Sequence, residues 1–430
     1  MRYLVELLAV VGLGIALTRP KLLMYFLLFS VLEPSKVFCL GNYVILGTIN
    51  VKFYEITLLL IYVGAVWTRR RALAAPFTTS FLVLVACGII SLFRGTVFYG
   101  EAAFNQFRTF FSMGMFIAVP LLYRDPRELA PLLRFFFFGV IAMGALEVLE
   151  LIHMNPLSNW AQSDVRYTSV LSGTEGALLA MPFIYIVANM HYLRSHHVTA
   201  VLGAGWCVIA AVFSASRGVW IGITGAMVSV VWFSDVQRRV AIISSVVFVS
   251  LFLFIFARGV YIERYEMSMA ERFKVLLDTQ EGTAYWRLMA WRQMVDDIAR
   301  HPFIGVPFGE PTIFYVYKMG YYQENAPHNE YLKIGRYTGL IGLSALLWFL
   351  CSIFADGVRY LRRHHYSPEY YEMAGLLSCF VFHLLTAAIT QTFTDMVISP
   401  VIWMIPGAIK LYMLAEPRGG MAAVRANAKP

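Results

Sequence analysis

The chain has 430 residues, of which 59% are hydrophobic and only 14% charged, with a mean hydropathy of +0.64 and a formal net charge of +9. A soluble domain averages about 25% charged residues, so this composition excludes an ordinary water-soluble enzyme. The excess of bases does not mark a nucleic-acid binder, because the bases fall in short clusters between apolar runs rather than along one face.

Apolar stretches suited to crossing a bilayer occur at 3–17, 21–33, 52–68, 78–93, 108–123, 131–151, 169–190, 198–213, 217–233, 239–257, 330–355, 373–391 and 397–414. With a crossing requiring roughly 20 mostly apolar residues, the chain is expected to span about 12 or 13 times. The uncertainty of one lies in "TRPK" at 18–21, which makes the first 33 residues two short crossings or one broken crossing. Backbone polar groups in lipid must be satisfied within the chain, and the alternation of a membrane β-barrel is absent, so the fold class is an all-α polytopic bundle.

The basic clusters are Arg69 to Arg71, Arg124 to Arg134, His191 to His197, Arg238 with Arg239, and Arg359 to His365. Cytoplasmic loops carry such clusters, which puts the C-terminal tail inside and the connections 94–107, 152–168, 214–216, 258–328 and 392–396 outside. Four of the five cysteines fall in predicted spans and none forms a CxxC pair, so neither a disulfide framework nor a zinc site is expected. Three regions follow: a transmembrane bundle over 1–257, an external loop over 258–328, and C-terminal transmembrane helices with a tail over 329–430.

The external loop is the one long connection. Trp286, Met289, Ala290, Gln293, Met294 and Ile298 recur at near-helical spacing, with Arg287, Arg292, Asp296 and Asp297 as the polar complement. This predicts a helix over 285–299, ended by His301-Pro302 because a residue before proline avoids the α region. "GVPFG" then supplies a turn-rich segment. A loop of this length is either a solubilising cap or a functional element.

Ionisable groups in or beside spans are costly and are candidates for function. Arg217, in "FSASRGVWIGI", lies at the outer end of a span. It is either a snorkelling anchor or an anion clamp, with Ser214 and Ser216 placed to cap the helix that follows. Arg166 is an interfacial anchor or a second clamp, and Glu175 a structural partner for a base. Arg287 and Arg292 are solvated helix charges or ligands. His328, in "ENAPHNEYLKIG", is a polar contact at the start of a helix or a base, with Asn329 a helix cap and Glu330 either orienting the imidazole or facing water. Glu6, Glu55, Glu147, Glu150 and His383 read as helix-end or packing groups. All of Arg166, Arg217, Arg287 and His328 fall on the outer side, and such a set suits a phosphate-bearing ligand handled without a metal.

Three segments, taken in order, carry a family resemblance: "SASRGVW" at 214–220, "YWRLMAWRQMVDDIARHPFIGVPFG" at 285–309 and "PHNEYLKIGRYTGLIG" at 327–342. Together they resemble the O-antigen ligase/polymerase superfamily, and "RYTSVLSGTEGALLAMP" at 166–182 is similar to its earlier arginine segment, with Thr174-Glu175 in place of the usual proline-asparagine. The resemblance covers about 160 to 345. It implies a GT-C-like inner-membrane glycosyltransferase that takes a glycan from undecaprenyl diphosphate on the periplasmic side, inverting and without metal or other cofactor. A ligase passes the glycan to lipid A-core, and a polymerase passes it to a second lipid-linked repeat. On this pattern Arg166, Arg217 and Arg287, aided by Ser216, hold the diphosphate. His328 is the base, Arg217 and Arg287 assist the chemistry, and Asn329, Glu330 and Arg292 give support. The competing classes are a transporter or flippase of the same lipid, which would be expected to show inverted repeats and midplane polar groups, and a structural subunit of an envelope assembly.

Overall fold

The structure is a computed structural model and describes residues 11–32, 43–46, 49–68, 78–153, 173–189, 205, 207, 216–234, 282–316, 320–324, 328–365, 367–395 and 398–415. These are mostly helical: α1 (Pro20–Leu32), α2 (Phe53–Thr68), α3 (Thr79–Tyr99), α4 (Glu101–Phe107), α5 (Met115–Leu122), α6 (Ala130–His153), α7 (Gly173–Asn189), α8 (Arg217–Phe233), α9 (Gly282–Arg300), α10 (Glu330–Arg363), α11 (Pro368–Ala387) and α12 (Ser399–Ala415). Two antiparallel hairpins join them, β1 (Tyr43–Leu46) with β2 (Ile49–Lys52), and β3 (Thr312–Val316) with β4 (Gly320–Glu324).

Among the described residues, four helical segments are long and apolar enough to cross a membrane: Thr79–Tyr99, Pro126–Ala145, Glu330–Arg363 and Pro368–Ala387. Shorter apolar helices at Pro20–Leu32, Tyr54–Thr68, Gly176–Asn189, Gly218–Phe233 and Ser399–Ala415 pack among them. Phe93, Val97, Phe98, Phe138, Trp232 and Trp348 are all strongly exposed, which is the surface that a helix bundle turns toward lipid. Inside, Phe81, Phe116, Phe349 and Trp403 pack ring against ring at 4.7–6.1 Å.

Helix starts follow local chemistry. Thr78 caps α3 by accepting from the Phe81 N–H, and Ser367 caps α11 from the Tyr370 N–H, with Pro368 at the first helical position. Antiparallel packing of α8 on α11 defines two ends of the bundle. At one end the Tyr370 hydroxyl donates to Phe233 O at 2.6 Å, and at the other Thr386 Oγ1 donates to Gly218 O at 3.3 Å. Gly218, Gly222 and Gly225 make this contact close: a Cβ on Gly218 would meet Thr390 Oγ1 at 2.2 Å, and one on Gly222 would meet Thr386 Oγ1 at 2.3 Å. The Phe233 end carries the clusters Arg124 to Arg134 and Arg359 to His365 and ion pairs linking Lys21 to Glu128, Arg127 to Glu369, and Lys410 to Asp356.

The opposite end is organised by residues 301–311, which thread into a break in α10. Gly339 leaves helical geometry at φ 66, ψ −171, and the Leu340 N–H, freed by the break, donates to Pro302 O at 2.7 Å. Val306 N donates to Arg336 O at 2.8 Å from the other side. The fit is backbone on backbone. A Cβ on Gly339 would lie 2.3 Å from Phe303 O, and one on Gly305, at φ 65, would lie 2.3 Å from Arg336 O. Helix α3 closes the far side, with Arg94 donating to Gly305 O (3.0 Å) and Ser91 to Val306 O (3.2 Å).

The boundaries expected at 21–33, 52–68, 131–151, 217–233 and 397–414 agree with α1, α2, α6, α8 and α12 within two residues at each end. The helix expected over 285–299 is α9, and it ends at Arg300 just before His301-Pro302. Three expectations are corrected. The connection 94–107 is helical, because α3 runs to Tyr99 and α4 follows, with Arg94 satisfied by loop carbonyls. The stretch 108–123 is a 3₁₀ turn (Arg108–Gly114) and then the short α5. Helix α11 stops at Ala387 rather than near 391, which leaves 388–395 as a polar non-helical connection. The β3–β4 hairpin modifies the all-α expectation. Expected spans 198–213 (apart from residues 205 and 207) and 239–257 lie outside the described residues, as do 3–10 of the first span and 258–281 of the external loop.

Candidate functional site

Four elements converge at the Gly218 end of the bundle: the start of α8, the first half of α9, the start of α10, and the connection 388–395. Helix α9 holds its place through one buried side chain. Arg336 is 1% exposed, and its Nε donates to Asp297 Oδ2 at 2.6 Å while Nη1 and Nη2 donate to Glu310 O (2.9 Å) and Pro311 O (3.1 Å). Asp297 also accepts from Gln293 one turn back at 2.8 Å. This clamp ties α9, the threaded loop and α10 together. The hairpin then covers α9, with Phe314 and Val316 buried against Ala290 and Trp286.

His328 lies directly before α10 and is the only described non-glycine residue in the left-handed region, at φ 56. Histidine tolerates this conformation better than most, yet it still stores strain that the surroundings must hold. The hold is visible on both sides. Asn329 caps α10, with Oδ1 accepting from the Leu332 N–H at 3.0 Å, and the Trp286 ring stands edge-on to the imidazole at 6.1 Å between centroids. Burial pushes the His328 imidazole down to about 4, with further lowering from Arg287 and then Lys333. The ring is therefore neutral at pH 7.

Arg287 is half-buried on α9 and its Nη1 donates to Ile389 O at 3.4 Å. The neighbouring Thr390 faces Gly218, the residue after Arg217. The backbone of Arg217 and the guanidinium of Arg287 thus flank the same connection. Ser216 occupies the N-cap position of α8 but makes no side-chain cap bond. Arg292 is exposed on α9, five residues beyond Arg287. Arg166, Glu175 as a side chain, and the Arg217 side chain lie outside the description.

Glu330 neither orients the imidazole nor faces water. It is fully buried, and both carboxylate oxygens accept from Thr394 Oγ1 at 2.8 and 2.9 Å. Thr394 in turn accepts from Lys333 Nζ at 2.7 Å. The connection is further pinned by Trp403 Nε1 to Phe393 O (2.9 Å) and by Ile398 N to Asp395 Oδ1 (3.1 Å). Its Gln391 Nε2 and Thr392 Oγ1 are buried and have no hydrogen-bond partner.

Sequence reasoning thus named His328, Arg287, Asn329 and Glu330 and missed Lys333, Arg336 and Thr394. A signal for the first two was present, since Lys333 and Arg336 are charges inside the expected span 330–355, the same criterion that singled out Arg217. The hairpin also had a signal: "TIFYV" is β-branched and aromatic and alternates buried with exposed.

Chemically the site pairs a neutral imidazole with cations at the ends of apolar helices, which suits an anionic group on an amphipathic substrate. Comparison with known proteins points the same way. Residues 202–347 match the family model Wzy_C, described as O-antigen ligase. That stretch contains α8, α9, both strands of the second hairpin, His328 and the Gly339 break. The match bears out the superfamily resemblance read from the sequence and supports a ligase- or polymerase-type function. Among curated proteins, none matches the chain.

Proposed function

We propose that this protein is a GT-C-like glycosyltransferase of the bacterial inner membrane. It moves a glycan from undecaprenyl diphosphate to lipid A-core on the periplasmic side, with inversion and without a metal. The observation that carries the reading is His328: a strained, neutral imidazole held beside Arg287 at the mouth of a lipid-embedded bundle, inside the stretch that matches the O-antigen ligase family.

In this reading His328 accepts the proton of the acceptor hydroxyl as that oxygen bonds to the anomeric carbon. The bond from that carbon to the diphosphate oxygen breaks on the opposite face, and the lipid diphosphate leaves with the electron pair. A positioned base contributes about 10²–10⁴-fold. Arg287, with Arg217 and Arg166, stabilises the charge on the leaving group, and the N–H groups that open α8 favour the same anion. In this reading the α9 segment and its hairpin serve as the cover over the bound donor.

The test is reconstitution of purified protein in liposomes with a defined undecaprenyl-diphosphate glycan and two competing acceptors, lipid A-core and a second lipid-linked repeat. Transfer to lipid A-core supports the ligase. Transfer only to the second repeat makes the enzyme a polymerase with the same chemistry. Transfer to neither, or an unaltered rate in His328→Ala, refutes the mechanism.

A further inference from the structure

The reading above leaves one buried cation without a role. Lys333 is 6% exposed, one turn into α10, and the hydrogen bond found for its ammonium is the one to Thr394 Oγ1 at 2.7 Å. An ammonium has three donors, so two are unused. Among the described residues no carboxylate comes within ion-pair distance of it. Glu330 interacts with the charge across the Thr394 hydroxyl, which donates to both of its oxygens, without a direct hydrogen bond to the ammonium. A buried lysine ordinarily acquires a direct partner or loses its proton. The same connection holds Gln391 Nε2 and Thr392 Oγ1, buried and unpartnered. Native structures leave few such atoms, and a site built for a ligand is one reason for them.

We propose that Lys333 is a further donor-binding residue, which with Gln391 completes the diphosphate site begun by Arg287 and the start of α8. The proposal rests on the glycosyl-transfer reading for the identity of the anion, and on the unmet donors for its location. Arg287 bonds Ile389 O and Lys333 bonds Thr394 Oγ1, so the two cations hold the connection 389–394 from its two ends. A diphosphate lying against this connection would meet an arginine fork at one side and a rotatable ammonium at the other. Lys333 is also the second cation that acts on His328, after Arg287. An anion bound between them would screen both charges and make the imidazole a stronger base when donor is present.

The experiment compares Lys333→Gln, which keeps a donor toward Thr394 and removes the charge, with Lys333→Arg and with Thr394→Val, which breaks the bridge and keeps the charge. Binding of undecaprenyl diphosphate in detergent micelles and of inorganic pyrophosphate is measured for each, together with the pH profile of transfer. Loss of a hydrogen bond to a charged group predicts about a tenfold to hundredfold weaker lipid diphosphate for Lys333→Gln, with recovery in Lys333→Arg and at most a few-fold change in Thr394→Val. The acid limb of kcat/KM should move to higher pH in Lys333→Gln alone. Wild-type affinity in Lys333→Gln overturns the proposal, as does an equal loss in Thr394→Val or a loss confined to inorganic pyrophosphate. If Lys333→Gln does not stay monodisperse in detergent, Lys333→Arg decides by itself: wild-type donor affinity supports the site and a loss beyond tenfold overturns it. Wild-type protein that binds the lipid diphosphate through Lys333 but transfers no glycan would sink the proposed function and leave this site standing.

Discussion

Removing the Arg336 guanidinium should do more damage than removing any of the surface ion pairs. The side chain is 1% exposed and makes three hydrogen bonds at 2.6–3.1 Å, one of them to the Asp297 carboxylate. In Arg336→Met the Asp297 charge is left with Gln293 as its one remaining bond, and two backbone carbonyls lose their donor. Breaking one side of a buried pair costs about 3–5 kcal/mol. Asp297→Asn leaves the guanidinium its two carbonyls and keeps a polar group at the site, so its cost should be about 1.5–3 kcal/mol. In the double variant no buried charge is orphaned. The combined loss should therefore fall short of the sum of the single losses by about 1–3 kcal/mol. Reversible SDS unfolding of the detergent-solubilised protein measures all four species. Transfer rates should fall in parallel, because the clamp holds the helix that carries Trp286 and Arg287. Strictly additive losses, or an Arg336→Met variant as stable as wild type, would refute the clamp.

Two further outcomes follow from the same end of the bundle. Because His328 is neutral down to about pH 4 in the donor-free protein, kcat/KM should stay flat as pH falls below the ordinary histidine range and drop only near 4. The kcat limb should lie higher, since a bound diphosphate favours the imidazolium. Acid loss of kcat/KM near 6.5 would contradict the placement of the ring. Gly339→Ala should lower the melting temperature in detergent and the yield of folded protein. Its Cβ would meet the Phe303 carbonyl at 2.3 Å at a φ of 66, and neither obstacle is a side chain that can rotate away. A variant that melts like wild type would mean that the loop does not thread the break.

What the sequence disclosed depended on which force governed each element. Helices such as α8 and α12 bury or expose continuous apolar runs, so a hydropathy window locates them closely. Helix α11 stops short of its apolar run because Thr386, Thr390 and Thr394 take bonds or contacts from other helices, a tertiary effect with no local signal. The chemistry of "PHNEYLKIGR" was legible in its residue types. Asn329 is the cap that its position implied, while Glu330, read as solvent-facing or imidazole-orienting, is instead buried against a threonine 64 residues away. Periodicity cannot foresee such a partner. The β3–β4 hairpin was overlooked because the apolar alternation of "TIFYV" was absorbed into a long loop.

The three basic or titratable groups around the start of α10 can be ranked by how completely the protein satisfies them. Arg336 is paired directly with a carboxylate and also bonds two carbonyls, so its charge is met within the fold. Lys333 is equally buried yet keeps two donors unused, and His328 is held in a strained backbone with its proton disfavoured. A protein that can complete one buried cation this well has the means to complete its neighbour three residues earlier. That it does not do so for Lys333 and His328 is the reason to seek their partners in a bound anion and an acceptor hydroxyl rather than within the fold.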